Sequence, residues 1–311
     1  MRVVIPAAGL GTRLRPHTLT MPKPLMHVGS GRMIDYVMAS FKDLDVSEVT
    51  VITGYMEDKL INYLKNGYQY EFSFITQEQR LGLGHAVYQS LYEDSDEDIL
   101  IVLSDSIIQT DMDAFTRSMS SVSVMEVDEP EHFGIVSTDG EMITDMAEKP
   151  RGLEKGYAIT GLYYFSDGIS LRTYLKHVID NGIMTKNEYQ LTDAMKMMIE
   201  NNIPMRAVEA DKWIDCGTHD MLIEANRELL AMENRTNFCE GDTGSSSIGN
   251  NVSVFGNARI IESNVANSII MENAVIKNCD IKNSVIGRNS TVENFRGRLI
   301  ASDFTSVTKE D

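Results

Sequence analysis

Up to about residue 232 the chain alternates short apolar runs with longer stretches of helical spacing. RVVIPA (2–7), VTVIT (49–53), YEFSFIT (70–76) and ILIVLS (99–104) are rich in β-branched residues and predict strands. MIDYVMASFKDL (33–44), MEDKLINYLK (56–65) and GLGHAVYQSLYE (82–93) repeat apolar residues at three- and four-residue intervals and predict helices. SVSVMEV (121–127), GIVST (134–138) and GLYYFS (161–166) read as further strands, with helices near 168–180, 188–200 and 218–232. Strand, helix, strand, helix in this order predicts an α/β fold around a Rossmann-like, mixed but mostly parallel sheet covered on both faces. The spans expected are a domain over 1–232, a linker over 233–247 (ENRTNFCEGDTGSSS), a repeat domain over 248–300 and a tail over 301–311.

The repeat has a different grammar. Stacked in sixteens from residue 254, Val254, Ile270 and Ile286 fall in one column. Asn257, Asn273 and Asn289 fall in a second, Ala258, Ala274 and Ser290 in a third, and Ile260, Ile276 and Val292 in a fourth. An aliphatic residue recurring after six positions marks a parallel β-helix whose coils stack over a narrow core. The columns resemble the hexapeptide-repeat, left-handed class, here very short.

Composition then narrows the setting. The chain has 311 residues, 42% of them hydrophobic, and a net charge of −18. No apolar run approaches the roughly 18–20 residues of a membrane span. The start, MRVVIPAAGLG, lacks the pattern of a signal peptide, and Cys216, Cys239 and Cys279 are too scattered for a disulfide framework or a zinc site. A reducing cytoplasm is the expectation, with no nucleic-acid or membrane partner, since phosphate-rich partners need spread positive charge. Against that background, residues 1–34 hold Arg2, Arg13, Arg15, Lys23 and Arg32 and not one Asp or Glu. A local reversal of sign points to a small anionic ligand.

That island contains GLGTRLRPHTLTMPKPL (9–25). Leu14 stands where a dinucleotide fingerprint has its third glycine, and no Lys-Ser/Thr run makes a P-loop. Glycines after a strand let backbone N–H groups surround phosphate, or they make a tight strand-to-helix turn. Lys23, set between two prolines, offers a point charge, and Arg13 offers a fork. The six histidines form no metal-spaced pair, His85 reads as a helix-surface residue, and Cys216 as packing.

With its neighbours this stretch resembles the sugar-1-phosphate nucleotidylyltransferases, closest to thymidylyltransferase-like enzymes with a β-helix tail. QEQRLGLGHAV (77–87), LSDS (103–106), FGIV (133–136), EKP (148–150), TGLYYF (160–165), YQLTDAM (189–195) and WIDCGT (213–218) follow in the family's order. The resemblance implies nucleotide contacts at Ala8, Gly9, Gly11, Thr12, Gln77 and Gly82, and sugar contacts at Gly134, Glu148, Lys149 and Gly161. It implies Mg²⁺ on Asp105 and Asp215, and catalytic roles for Arg13, Lys23 and Lys149. The substrates implied are a nucleoside triphosphate and a sugar 1-phosphate, dTTP or UTP with glucose 1-phosphate leading. Mannose-1-phosphate guanylyl transfer and a non-catalytic regulatory module that binds sugar nucleotide remain alternatives. The family often has Gly-Asp-Asn where this chain has Ser104-Asp105-Ser106, and Glu78-Gln79-Arg80 leaves base selectivity open. A tail this short, with no histidine after His219, suits a structural or oligomerising role better than an acyltransferase. A homo-oligomer is expected, because the open end of a β-helix needs covering.

Overall fold

The computed structural model describes residues 1–309 apart from 94 and 118; the last two residues of the expected tail lie outside the described ones. Two compact units emerge. The first comprises Met1–Gly9 and Val37–Trp213, the second Leu10–Tyr36 and the chain from Ile214 onward.

A nine-stranded sheet forms the first unit. Its order is Phe72–Thr76, Glu48–Thr53, Arg2–Pro6, Ile99–Val102, Gly156–Phe165, Ser121–Val127, Arg206–Glu209, Met142–Glu148, Gly134–Asp139. The first four strands pair in parallel, as do Ser121–Val127 and Arg206–Glu209; the other neighbours are antiparallel. The parallel half follows from its helical crossovers, whereas Gly134–Asp139 and Met142–Glu148 return through a two-residue turn with Gly140 at φ +59°. Val4, Ile52, Ile99 and Ile101 share a core with Ala86, Val87, Leu171, Leu175, Ala194 and Met195 of three helices. Val3, Ile5, Val49, Val51 and Leu100, of opposite parity, are buried too. Both faces of the parallel half are therefore covered.

In the second unit three parallel sheets of five, four and four strands make the β-helix. Val254 pairs with Ile270 and Ile270 with Ile286, the register the sixteen-residue columns require. Val254, Ala258, Ile260, Val265, Ile270, Ala274, Ile276, Ile281, Ile286 and Val292 fill its core. The asparagine column has its own cause. Asn257, Asn273 and Asn289 sit at corners with φ of 55°, 57° and 55°, a left-handed conformation asparagine tolerates. Their amides stack, Asn273 Nδ2 donating to Asn289 Oδ1 at 3.2 Å.

The domain limits expected from sequence need correction at three places. Phe238–Cys239, inside the expected linker, and Ser247–Ile248, across its end, are already strands of the β-helix. Ile300–Ala301 and Ser306–Thr308, at the expected tail, pair with the preceding coil. Gly, Ser and Asn mark corners as readily as linkers, so composition alone misplaces the ends. Residues 10–36 group with the C-terminal unit, tied there by Gly29 N donating to Asn226 Oδ1 at 2.8 Å and Ser253 Oγ to Gly29 O at 2.6 Å. Among the described residues no helix is long and apolar enough to cross a membrane.

Candidate active site

In the first unit a cavity of about 280 Å³ opens beyond the carboxyl end of the strand Arg2–Pro6. Ala8, Gly9, Gln77 and Gly82 line it together, with Ile52, Arg80 and Glu188. Gln77 is only 6% exposed; its Nε2 lies 3.4 Å from Gly82 O and 3.5 Å from His85 Nδ1. Burial holds the His85 imidazole below its ordinary value, which favours the neutral ring beside that amide. Gly82 has φ +112°, and a Cβ there would stand 2.6 Å from Tyr189 O, so only glycine fits. The loop is pinned by Tyr189 N to Leu81 O at 2.7 Å and Gly84 N to Tyr189 O at 2.8 Å. Arg80, whose Nε donates to Ala8 O at 3.1 Å, and Glu188 carry no role in the sequence reading. Both are charged residues of loops, which no periodicity marks.

A second group in the same unit gathers around Tyr163. Its phenol is 5% exposed and shifted up, by burial first and then by the charges of Glu148 and Asp105. Asp105 is half-buried just past the strand Ile99–Val102, in a turn held by Ser104 Oγ donating to Pro6 O at 2.8 Å. Glu148 accepts from Thr192 Oγ1 at 3.3 Å and pairs with Lys149 Nζ at 3.5 Å. Gly134 leaves room for that carboxylate, since a Cβ there would lie 3.1 Å from Glu148 Oε2. Lys149 holds φ +48°, with its amide bonded to Phe133 O at 2.9 Å, and its ammonium is exposed. Gly161, at φ +104°, packs on Leu103, whose amide donates to its carbonyl at 3.0 Å.

The second unit carries the remaining candidates. Gly11 adopts φ +60° and starts a run of short 3-10 turns, Thr12–Leu14, His17–Leu19 and Lys23–Leu25. A Cβ on Gly11 would stand 3.1 Å from Lys23 Cβ, so the two ends of the loop are folded together. Thr12 and Arg13 are exposed. A Cβ on Gly217 would stand 2.9 Å from Asp215 Oδ1 and 3.0 Å from Arg13 Nη2, so carboxylate and guanidinium both lie against that glycine. Thr218 then caps the helix His219–Met232, accepting from Met221 N at 3.3 Å. Spacing gave no histidine pair, yet His17 Nδ1 and His219 Nε2 lie 3.0 Å apart. Cys216 is fully buried beside this turn.

Asp105 and Asp215 are both half-buried carboxylates at strand ends. Among the described residues there is no cluster of three or more His, Cys, Asp or Glu side chains suited to a metal. Hard oxygen donors in small number are what Mg²⁺ accepts when phosphates and water complete its shell, so the donor type fits.

The family described as nucleotidyl transferase matches residues 2–232. The bifunctional protein GlmU of Methanocaldococcus jannaschii is 30% identical over 231 residues, which cover 74% of this chain and 54% of that protein. The UTP–glucose-1-phosphate uridylyltransferase AglF of Haloferax volcanii is 27% identical over 240 residues, 74% of this chain and 96% of the relative. This chain therefore spans about half the length of GlmU and almost the whole of AglF. A crystal structure of UDP-glucose pyrophosphorylase with UDP-glucose shares the fold, with a TM-score of 0.63 at 23% identity over 75% of this chain and 99% of that one.

Proposed function

Because the chain belongs to the nucleotidyl transferase family, we propose that it joins a nucleoside triphosphate to a sugar 1-phosphate and releases pyrophosphate. The observation that carries this is the loop of the second unit. In a chain of net charge −18, an exposed guanidinium, Arg13, and a half-buried carboxylate, Asp215, meet at Gly217. That is a seat for phosphate oxygens with a cation beside them.

An oxygen of the sugar phosphate forms a bond to the α-phosphorus as the bond from that phosphorus to the bridging oxygen of pyrophosphate breaks in line. The phosphate monoester is already anionic at neutral pH, so no proton has to be removed from it. The protein's contribution is positioning and charge neutralisation. Arg13 and Lys23 neutralise the triphosphate, and Ala8, Gly9, Gly11 and Thr12 offer it backbone donors. The cavity at Gln77 and Gly82 takes the base, whose hydrogen-bonding edge the Gln77 amide matches with both donor and acceptor. Glu148 accepts from sugar hydroxyls, Gly134 and Gly161 let the backbone approach the ring, and Lys149 holds the attacking phosphate. Mg²⁺ on Asp105 and Asp215 would supply further charge neutralisation at the phosphate oxygens.

Similarity to a UTP–glucose-1-phosphate uridylyltransferase over nearly that protein's full length supports UTP with glucose 1-phosphate, and dTTP stands beside it on the sequence resemblance. The test is pyrophosphate release with Mg²⁺, crossing UTP, dTTP, GTP, ATP and CTP against glucose, mannose and N-acetylglucosamine 1-phosphates. Release that requires UTP or dTTP together with glucose 1-phosphate is expected. A GTP and mannose 1-phosphate requirement would replace the substrate pair. Silence across the grid from folded protein that binds nucleotide would leave the regulatory module in its place. An oligomer closing the end strands Ile300–Ala301 and Ser306–Thr308 belongs to the same proposal, and light scattering that reads a monomer would remove it.

A further inference from the structure

Between Arg13 and Lys23 the chain runs along the last coil of the β-helix and is bonded to it at successive points. Ser302 Oγ donates to Pro16 O at 3.4 Å. The His17 ring faces the carbonyls of Val285 and Ala301. Thr20 Oγ1 donates to Asp303 Oδ2 at 2.7 Å. Asp303 is fixed in turn by Arg288, whose amide donates to Oδ1 at 2.7 Å and whose Nε donates to Oδ2 at 2.8 Å. The same guanidinium reaches the Thr20 carbonyl at 3.5 Å. The Asp303 side chain is 1% exposed. A buried carboxylate with this many donors has essentially one available position.

The bland account is a buried ion pair that merely closes the coil. Strand pairing already does that, Val285 with Ile300, Ile286 with Ala301 and Val292 with Val307. The bonds to Pro16, His17 and Thr20 add nothing to the coil's own ladder. They act on a loop whose own bonds are local, Thr20 Oγ1 donating also to His17 O at 3.1 Å. Its 3-10 turns are three residues each, too short to hold themselves in place. Within the loop, Thr18 Oγ1 donates to Gly11 O at 2.8 Å, which braces its start. Arg13 lies three residues before Pro16 and Lys23 three residues after Thr20, so holding 16–20 leaves either cation little range.

We propose that Asp303, with Arg288, is a positioning residue: the terminal coil of the β-helix fixes Thr20 and thereby the places of Arg13 and Lys23. The consequence for turnover rests on the nucleotidyl transfer proposed above; the consequence for loop order does not. Freed from Asp303, the loop must be ordered by the triphosphate itself, which raises KM for the nucleotide and lowers kcat. The cavity at Gln77 and the KM for sugar phosphate stay as they were.

The test uses full-length Asp303→Ala and, from the other side, Thr20→Val, which leaves the coil's own groups intact. Hydrogen–deuterium exchange is read in peptides over 11–25 and over 72–90, beside steady-state pyrophosphate release. Both variants are expected to speed exchange over 11–25 and not over 72–90. Each is expected to lower kcat by about 10- to 10²-fold, the scale of a misplacement near 1 Å. The double variant should lose less than the sum of the two singles, because both remove the Thr20–Asp303 bond. Unchanged exchange over 11–25 in Thr20→Val, or losses that add in the double variant, would overturn the proposal. Faster exchange over 11–25 in a protein that releases no pyrophosphate would uphold the positioning and sink the transfer reading.

Discussion

At Gly217 one methyl group tests whether Arg13 and Asp215 work on phosphate. A Cβ there would stand 2.9 Å from Asp215 Oδ1 and 3.0 Å from Arg13 Nη2. Ordinary contact begins at roughly 3.5 Å, so each group must withdraw by about 0.5 Å. Both atoms are the ends of rotatable side chains, and Gly217 is absent from the left-handed residues, so alanine needs no backbone strain. The steric cost is partly offset by the smaller entropy of the unfolded chain, and the net change in stability should stay within about 1 kcal/mol. Activity has no such offset. Displacing two charged groups by half an ångström should lower kcat/KM by about 10- to 10²-fold, or roughly 1.4–2.7 kcal/mol of transition-state stabilisation. The assay is pyrophosphate release by Gly217→Ala beside calorimetric melting of the same preparation. An unchanged kcat/KM at an unchanged Tm would show that neither Arg13 nor Asp215 acts where the reaction occurs.

Gln77→Ala should raise the nucleotide KM by about tenfold or more and leave the sugar phosphate KM alone, since it removes the buried amide proposed to meet the base; equal nucleotide KM values would take Gln77 out of base recognition. Glu148→Gln should raise the sugar 1-phosphate KM by a similar factor with nucleotide affinity unchanged, read by calorimetric titration, and an effect on nucleotide alone would reassign it. Acid should loosen the second unit through His17, whose imidazole is held down at about 4 by burial and then by His219, against 6.5 when exposed. Below pH 6.5 the unfolded chain takes up a proton that the folded one refuses, so stability present at neutral pH is lost as pH falls towards 4. The loss at pH 5 is about 2 kcal/mol. His17→Gln should flatten that dependence in denaturant melts at pH 7 and pH 5, and parallel slopes for the two proteins would refute it.

Much of the first unit is legible because its helices bury one periodic face each and its central strands are continuous apolar runs buried on both faces. Gly168–Asp180 and Ser121–Val127 fall where apolar spacing puts them. Arg206–Glu209 is not legible: RAVE has no alternation, and its residues are half-buried or exposed beside Ser121–Val127. In the β-helix the middle coils keep the sixteen-residue register and the outer ones leave it. Phe238 pairs with Ser253, Ser247 with Asn264 and Ile286 with Ala301. A periodic search therefore loses both ends. The basic loop is legible in its charge and silent about its packing, because Thr20 to Asp303 and Gly29 to Asn226 are contacts across long stretches of sequence.

Counting charge along the sequence also misjudges the basic island, and pairing decides how much of it faces a ligand. Arg2 is 1% exposed, stacks over Tyr92 and is bonded to Glu97 and to Ser90 O at 2.9 Å. It belongs to the core of the first unit. Arg32 pairs with Glu272 at 3.3 Å, and His27 reaches the same carboxylate at 3.1 Å. Burial works to raise the Glu272 carboxyl, yet the His27 hydrogen bond and the charges of His27 and Arg32 hold it at about 2. Glu272 is thus ionised at neutral pH. A stretch with no acid of its own between residues 1 and 34 acquires Glu272, and also Asp303, from the β-helix. What these carboxylates neutralise is Arg32 and Arg288, residues of the frame. Arg13 and Arg15 stay exposed, with Lys23 half-buried between its prolines. Arg2 and Arg32 therefore belong to the frame, and the cations of the island that remain on the loop are Arg13, Arg15 and Lys23, with the Asp215 carboxylate near Arg13 at Gly217.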